Sequence, residues 1–503
     1  MKLFISNIAC MIILLLSMSG IANAQETYTA HPEDTGAALV NPSMGWTMYY
    51  YSNVARNYGS KIEPSDTVDE FPGLSTVYLR LPWSYIEPKE GEFNWAILDT
   101  PAQRWIAKGK RVVLRLTCSE DWMDYATPKW VKDAGAKGVF YKYSDPGRSP
   151  DGVSWDPVYD DPIFLEKLNA FLAAAAKRYD GNPNIEFIDI GTYGLWGEGH
   201  THASSKQDKI ELQKLHIDLH LKHFKKTPLC ISDDFAGHHK PGKRFPITDY
   251  ALSKGVTIRD DSIMVGAPPM SWFHDEMAQA FWPTLPVIIE TGHYGPSVDR
   301  KAWSSELFIK SVEDYHASYM SIHWWPHDFL EKNRDAIDKI NMRLGYRLMP
   351  TEVTWPKAVR IASTQESYTL AVAGNTSDVT DYGDLSSKFK VQWTWANKGV
   401  APCYPGGFPA LTLKDAKGGI VSVLTDETFN MRDLEVGPPE ESPTTKHESE
   451  FIIGLYAPTT RPGTYDVFIS VGKRDGTPTI ALPLANDDGQ RRYRIGSITI
   501  QDN

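Results

Sequence analysis

Between about residues 40 and 330, short runs of apolar and β-branched residues alternate with longer stretches whose apolar positions recur every three or four residues. The short runs fall at residues 43–47, 76–81, 111–117, 185–191, 229–233, 256–260, 287–290 and 320–324, which makes eight predicted strands. Their continuous apolar character fits strands buried on both faces, as in a closed parallel barrel. Between them, Phe164, Leu165, Leu168, Phe171, Leu172 and Ala175 recur at helical spacing within Pro162–Tyr179, before Gly181 ends the run. A second helix is predicted over 206–226, where Ile210, Ile217, Leu221 and Phe224 share a face. Strand and helix in regular alternation predict a (β/α)8 TIM barrel.

After about Tyr346 the period changes. Alternating strands at 388–396, 449–456 and 463–471, separated by Gly, Pro and Asp turns, predict a C-terminal antiparallel β-sandwich. Residues 347–356 read as the connection and 435–447 as an exposed loop. At the other end, Lys2, an apolar run over 8–18 and Ala22-Asn23-Ala24 read as an export signal with a mature start at Gln25. The run is too short for a membrane span, and Cys10 comes too early to be a lipidated cysteine. The expected division is a signal at 1–24, a barrel over 25–346 and a sandwich over 347–503, in a protein exported to the periplasm or beyond.

Composition narrows the partners. The formal charge of -11 is spread without a basic block, which argues against nucleic acid and anionic lipid. Beyond the signal the cysteines are Cys118, Cys230 and Cys403, an odd set that does not make a disulfide framework. Aromatic residues reach 12%, with 16 Trp and 24 Tyr, a surplus compatible with stacking on the apolar faces of sugar rings. The expected partner is an oligo- or polysaccharide. No phosphate-cradling glycine loop, serine nucleophile elbow or cysteine-pair metal site is present, so no cofactor is expected.

In such a barrel the chemistry lies at the C-terminal ends of the strands, so acids placed there carry weight. The fourth strand is followed by Gly191-Thr192-Tyr193-Gly194-Leu195-Trp196-Gly197-Glu198-Gly199-His200, and the seventh by Glu290-Thr291-Gly292-His293. Strands four and seven stand across the ring from each other, so Glu198 and Glu290 can face one another over the mouth. Two carboxyls about 5 to 5.5 Å apart cleave a glycosidic bond with retention, one protonating the leaving oxygen and the other attacking the anomeric carbon. The acid needs a raised pKa, which apolar Trp196 beside Glu198 can supply; the nucleophile needs a low one, which a cation beside Glu290 can supply.

The segment Arg80-Leu81-Pro82-Trp83-Ser84-Tyr85-Ile86-Glu87-Pro88-Lys89-Glu90-Gly91-Glu92-Phe93-Asn94-Trp95 resembles the second-strand segment of barrel-type β-galactosidases. Those enzymes sit in the wider clan of retaining glycosidases with the acid/base on strand four and the nucleophile on strand seven. The resemblance implies a retaining glycosidase acting on a β-galactoside or a galactose-containing polysaccharide. It also implies that Arg80 is the cationic neighbour of Glu290, with Arg115 on strand three a competitor. The overall layout is also similar to exported bacterial proteins with a barrel and a C-terminal sandwich. One position departs from the clan: Gly197 stands where Asn usually precedes the acid/base.

Around this pair, Arg80, Trp83, Tyr193, Trp196, His200, Asp233, Arg259, His293, His323 and Trp324 are the expected substrate-binding residues, with Trp324 as the stacking platform and Trp325 as core packing. Tyr49, Tyr50 and Tyr51 line outer subsites or pack in a hydrophobic cluster. Asp234, Asp260 and Asp261 bind sugar hydroxyls, support the site or replace one glutamate. His327 is placed to reach substrate, Glu87 to shape its turn. His216, His220 and His223 share a helix flank at chelating spacing, but three histidines on a helix read as a solvated face, and no metal is expected. Two other classes compete: a carbohydrate-binding barrel without catalysis, and a polysaccharide lyase, which requires a Tyr, His or Lys base and a charge-neutralising group near a uronate.

Overall fold

The computed structural model describes residues 25–49, 68, 70–236, 246–268, 273–323, 325–361, 366–372, 375–381, 387–438, 441–453 and 461–502, with the side chains of 361–386 and 502 excluded. The predicted signal, Tyr50, Tyr51 and Trp324 lie outside the described residues.

Eight strands close into a barrel: β1 (Gly45–Tyr49), β2 (Leu74–Pro82), β3 (Arg111–Thr117), β4 (Ile185–Asp189), β5 (Leu229–Ser232), β6 (Thr257–Ile263), β7 (Val287–Thr291) and β8 (Ala317–Ile322). They pair in parallel in chain order, and β8 closes the ring on β1 through Tyr319 opposite Gly45 and Ile322 opposite Met48. All eight predicted strands are present, with shifted ends. β1 begins two residues late because Ser43 takes a turn conformation at φ 60°, and β6 runs on to Ile263, which carries Asp261 within the strand. Helices fill the gaps. Pro162–Tyr179 starts where the Asp161 side chain accepts from the amides of Ile163 and Phe164, with Pro162 in the first turn and Lys177 and Arg178 in the last. Its face of Phe164, Leu168, Phe171, Leu172 and Ala175 is buried in the core that surrounds the barrel.

The helix predicted over 206–226 runs Ile210–His223. Here the solvated-face reading of its histidines fails for two of the three. His216 and His220 are buried against the barrel, with His216 Nδ1 2.9 Å from Thr192 Oγ1. Burial pushes their pKa values down to about 3 and about 4, so both are neutral core histidines with partners.

Beyond the barrel lie further sheets. One holds Thr27–Ala30, Leu348–Pro356, Ser387–Asn397 and Thr444–Ile453, all antiparallel. The other is built on Phe408–Lys414, Ile420–Thr425, Gly463–Gly472, Pro478–Ile480 and Tyr493–Asp502, with Ala358–Ile361 added in parallel, so it is mixed. Both contribute to one buried cluster that includes Trp355, Trp393, Val467 and Ile498. Three expectations are corrected. Residues 347–356 are largely strand, because Val353 and Trp355 bury a face there. The strand expected to begin at 449 starts at Thr444, inside the predicted loop. Thr27–Ala30, placed with the barrel by sequence, is an edge of the C-terminal sheet.

These sheets meet the base of the barrel, where the strands begin. Val400 N donates to Arg343 O at 2.9 Å and Ala401 N to Gly345 O at 2.9 Å, just before and after the entry to the C-terminal sheets. Tyr404 Oη donates to the carbonyl of Trp282, ahead of β7, at 2.6 Å.

Candidate active site

Strand register brings charge into the upper barrel. Arg80 on β2 pairs with Arg115 on β3, and Arg115 with Asp189 on β4, while Arg259 on β6 pairs with Ile288 on β7. Below them a ring of Tyr49, Tyr78, Val113, Phe187, Cys230, Ile288 and Tyr319 fills the barrel. Tyr49 stacks on Tyr78 with centroids 4.2 Å apart, so Tyr49 is an interior residue and not part of an outer subsite. Buried charge at this level is costly unless paired. Arg259 Nε donates to Asp189 Oδ2 at 2.7 Å, and Tyr78 Oη donates to the same oxygen.

Glu290, near the end of β7, accepts from Arg259 Nη1, and the same nitrogen lies 3.1 Å from Asp261 Oδ1. His323 Nδ1 is 3.3 Å from the other Glu290 oxygen. The cation on Glu290 is therefore Arg259. The expectation that Arg80 fills this role is corrected, since Arg80 forms a two-point pair with Glu120 and also lies 3.9 Å from Glu198. Arg259 is itself fully buried below the carboxylates, so it positions them and does not line the cavity.

Glu198 reaches the same mouth from the loop after β4, with Oε1 3.0 Å from Arg115 Nη2 and Oε2 3.7 Å from His200 Nε2. That loop turns through Trp196 at φ 56° and Gly197 at φ 73°. A Cβ on Gly197 would stand 2.5 Å from Gly191 O and 2.7 Å from its Cα. Position 197 therefore needs both the left-handed conformation and the missing side chain, and an asparagine there has no room.

The protonation pattern is uneven. Burial, then the charge of Asp261, raises the Glu198 pKa against Arg115. Burial also works to raise Asp261, but Arg259 and Arg115 outweigh it and hold that carboxyl low; a hydrogen bond with Glu198 adds to this. The charge that Asp261 keeps is thus one of the two causes that raise Glu198. Glu290 departs from expectation. Burial, followed by Asp261, pushes it up to about 8 in spite of Arg259. Beneath it, burial lowers His323 to about 3, so that imidazole is neutral. Burial works against charge on His200 as well, but Glu198 and Asp234 raise it to about 9.

Two lobes of one groove open here. The first, about 260 Å³, is lined by Arg80, Tyr143, Arg148, Trp196, Glu198, Glu290, His293, Arg300 and His323 among others. The second, about 400 Å³, shares Tyr143, Trp196 and Glu198 and adds His200, His202, Asp233, Asp234, Asp261 and His274. The structure thus brings Glu198, Glu290, Arg80, Trp196, His200, Asp233, His293 and His323 together. It does not bring Trp83 or Tyr193. Trp83 is buried against Phe171 with its indole N–H on Glu87, and Tyr193 packs on Tyr159 and Phe235. His327 pairs with Glu70 at 3.0 Å and does not line either lobe. Glu87 accepts from Trp83 Nε1 and from Gly91 N, so it shapes its turn.

Glu120, Asp121, Tyr143, Arg148 and Arg300 are the residues that sequence reading missed. Glu120 and Asp121 come within four residues of the end of β3, so the strand-end signal that found Glu290 also marks them. Among the described residues, two groups have ligand atoms close enough for a metal ion, Glu198–His200–Asp234 and Asp233–Asp260–His274. In the second, His274 Nδ1 is bonded to Asp233 Oδ2, and Asp260 Oδ2 accepts from Tyr315 Oη at 2.6 Å.

Residues 71–194 match the model of a glycoside hydrolase family described as β-galactosidase. Glu198 and Glu290 lie outside the matched stretch. No curated protein matches the sequence. Among solved structures, a β-galactosidase from the psychrophilic Marinomonas ef1 is similar at 13% identity and TM-score 0.35, over 56% of this chain and 54% of that one. The β-amylase catalytic domain from Paenibacillus polymyxa aligns at 10% identity and TM-score 0.40, over 60% and 94%. The exo-β-1,4-mannosidase Op5Man5 from Opitutaceae bacterium strain TAV5 aligns at 14% and 0.37, over 62% and 57%. This chain thus spans about half the length of the Marinomonas enzyme. At these scores the fold rests on the strand pairing of the chain itself.

Proposed function

We propose that this protein is an exported retaining glycosidase that cleaves a β-linked galactoside or a galactose-containing polysaccharide. Glu198 is the acid/base and Glu290 the nucleophile. The observation that carries the reading is that both glutamates line one cavity at the mouth of the barrel, each on its own arginine, Arg115 and Arg259. Burial and the charge of Asp261 raise the Glu198 pKa, the direction that suits the group that protonates the leaving oxygen. Glu290 must lose its proton to attack, and Arg259 receives the resulting charge. We read the two C-terminal sheets as a β-sandwich that braces the barrel base. Galactose as the sugar rests on the β-galactosidase match over residues 71–194.

The test is a screen of the mature chain against galactans and aryl β-galactosides, with Glu198→Gln and Glu290→Gln beside it and the first-formed anomer followed by NMR. Each variant is expected to lose at least about 10³-fold in kcat, and the wild type to release the β-anomer first. An inverted product, or full activity in either variant, overturns the mechanism. Export is tested separately, by N-terminal sequencing of the protein recovered outside the cytoplasm, where a start at Gln25 is expected.

A further inference from the structure

The two lobes differ in charge. Around His200 the wall carries Asp233, Asp234 and Asp261, whereas around Glu290 it carries Arg148 and Arg300. Arg148 comes from the segment between the hairpin strands Gly138–Tyr141 and Ser154–Pro157, which also supplies Tyr143. Buried Asp121 orients this wall from behind, since one of its oxygens accepts from Trp196 Nε1 at 2.9 Å and the other from Arg148. Tyr143 stands edge-on to Trp196 with centroids 5.0 Å apart, and the Arg148 guanidinium lies 5.7 Å from the Tyr143 centroid. Tyr143 is 44% exposed and the Arg148 side chain 53%, so ring and cation both face the groove. From the other side Arg300, just past the helix Tyr294–Asp299, donates to the carbonyl of Val265 at 3.3 Å and meets no carboxylate among the described residues.

We propose that Tyr143, Arg148 and Arg300 form a subsite for an anionic sugar residue, one bearing a sulfate ester or a carboxylate, next to the bond cleaved between Glu198 and Glu290. That the ligand is a saccharide rests on the function proposed above. An exposed ring offers the apolar face of a sugar a surface, and two guanidiniums beside it match the oxygens of a sulfate or carboxylate. The chain as a whole is acidic at -11, so its overall charge gives an anionic ligand no help. Screening over about 10 Å at 0.1 M salt leaves contact with these arginines to decide recognition.

The test measures binding to the whole mature chain by calorimetry at low salt, with a neutral β-linked galacto-oligosaccharide, its sulfated counterpart and an oligogalacturonate of equal length. At least one anionic probe is expected to bind about tenfold tighter than the neutral one, and which of the two does so names the anion. Arg300→Gln is expected to remove about tenfold of that affinity, the worth of one charged hydrogen bond, with neutral binding unchanged, whereas Arg148→Gln, which also strips buried Asp121 behind Trp196 of its cation, is expected to weaken both kinds of probe and the anionic one about tenfold more. Equal binding of all three probes, no binding of any, or equal weakening of neutral and anionic probes in the variants overturns the subsite. Hydrolysis is assayed apart. Charge-selective binding without turnover keeps the subsite and defeats the glycosidase reading, and turnover without charge selectivity does the reverse.

Discussion

At the mouth of the barrel, Arg115 and Arg259 lie beneath Glu198, Asp261 and Glu290, and the loop that carries Glu198 turns through residues of positive φ. At the base, the C-terminal sheets are joined to the barrel by contacts at Arg343, Gly345 and Trp282 and by His316 Nδ1, 2.6 Å from the carbonyl of Val400. At the mouth the buried charges converge on two glutamates that line a cavity; at the base they are satisfied within the fold, Arg111 by Glu186, and Arg343 by Glu313 and by the carbonyls of Lys398 and Gly437. Within the mouth a second contrast appears. Glu290 is fixed by strand register, Glu198 by the backbone of a loop.

The largest effect on this contrast is expected from Arg259→Ala. It leaves Asp189, Asp261 and Glu290 buried without their shared cation, and breaking such a set costs about 3–5 kcal/mol. Urea unfolding reads this directly. A loss below about 1 kcal/mol would show that the charges relax easily and that the mouth is no more demanding than the base.

Next comes Gly197→Ala, which acts on the loop that holds Glu198. The methyl group has to move the backbone of Gly191, and a shift of about 1 Å in a catalytic group costs on the order of 100-fold in rate. We expect kcat/KM on any substrate to fall by about that factor. Unfolding free energy should fall by about 1–3 kcal/mol from strain. Retained activity would mean that Glu198 is not held by this turn.

These residues also show where sequence was informative. The eight strands were legible because a strand buried on both faces is a continuous apolar run, and Glu290 stood out because such a run ends on it. Arg259 was visible as a residue but not as the partner of Glu290, since that pairing comes from the register between β6 and β7, which no local pattern encodes. Trp83 and Tyr193 were misplaced for a related reason. A residue that follows a strand can turn into the groove or pack outward beneath the loops, and Phe171 and Phe235 draw these two outward. His216 and His220 sit at polar positions of a weakly amphipathic helix, and contacts from Thr192 and Tyr159 bury them. Gly197 was legible as a departure from the clan, whereas its cause, the approach of Gly191, is tertiary.

A smaller change separates the roles of the carboxylates. Glu290 holds its proton to about pH 8, through burial and Asp261, so as pH falls through about 8 the nucleophile is lost and kcat/KM should drop. Stability runs the other way. The unfolded chain releases this proton near the ordinary value of 4.5, so stability from this group is full below that and is lost as pH rises towards about 8. Asp261→Asn removes the second cause of the shift and leaves Arg259 more fully to Glu290. The acidic limb of the rate profile should move to lower pH. A limb that stays in place assigns it to another group and separates Asp261 from Glu290.

The smallest effect is expected at the base. Tyr404→Phe deletes one hydroxyl that donates to the Trp282 carbonyl at 2.6 Å and leaves the ring in place. A neutral hydrogen bond of this kind contributes about 1 kcal/mol, so urea unfolding should register a loss of that size. Trp282 precedes β7, the strand that carries Glu290, so a change here could travel along the strand to the mouth. The ion pairs on Glu290 come from Arg259 and not from the base, and on that ground kcat, KM and the acidic limb should stay at wild-type values. If the limb moved with Tyr404, the C-terminal sheets would be setting the environment of the nucleophile through β7, and mouth and base would have to be treated as one device.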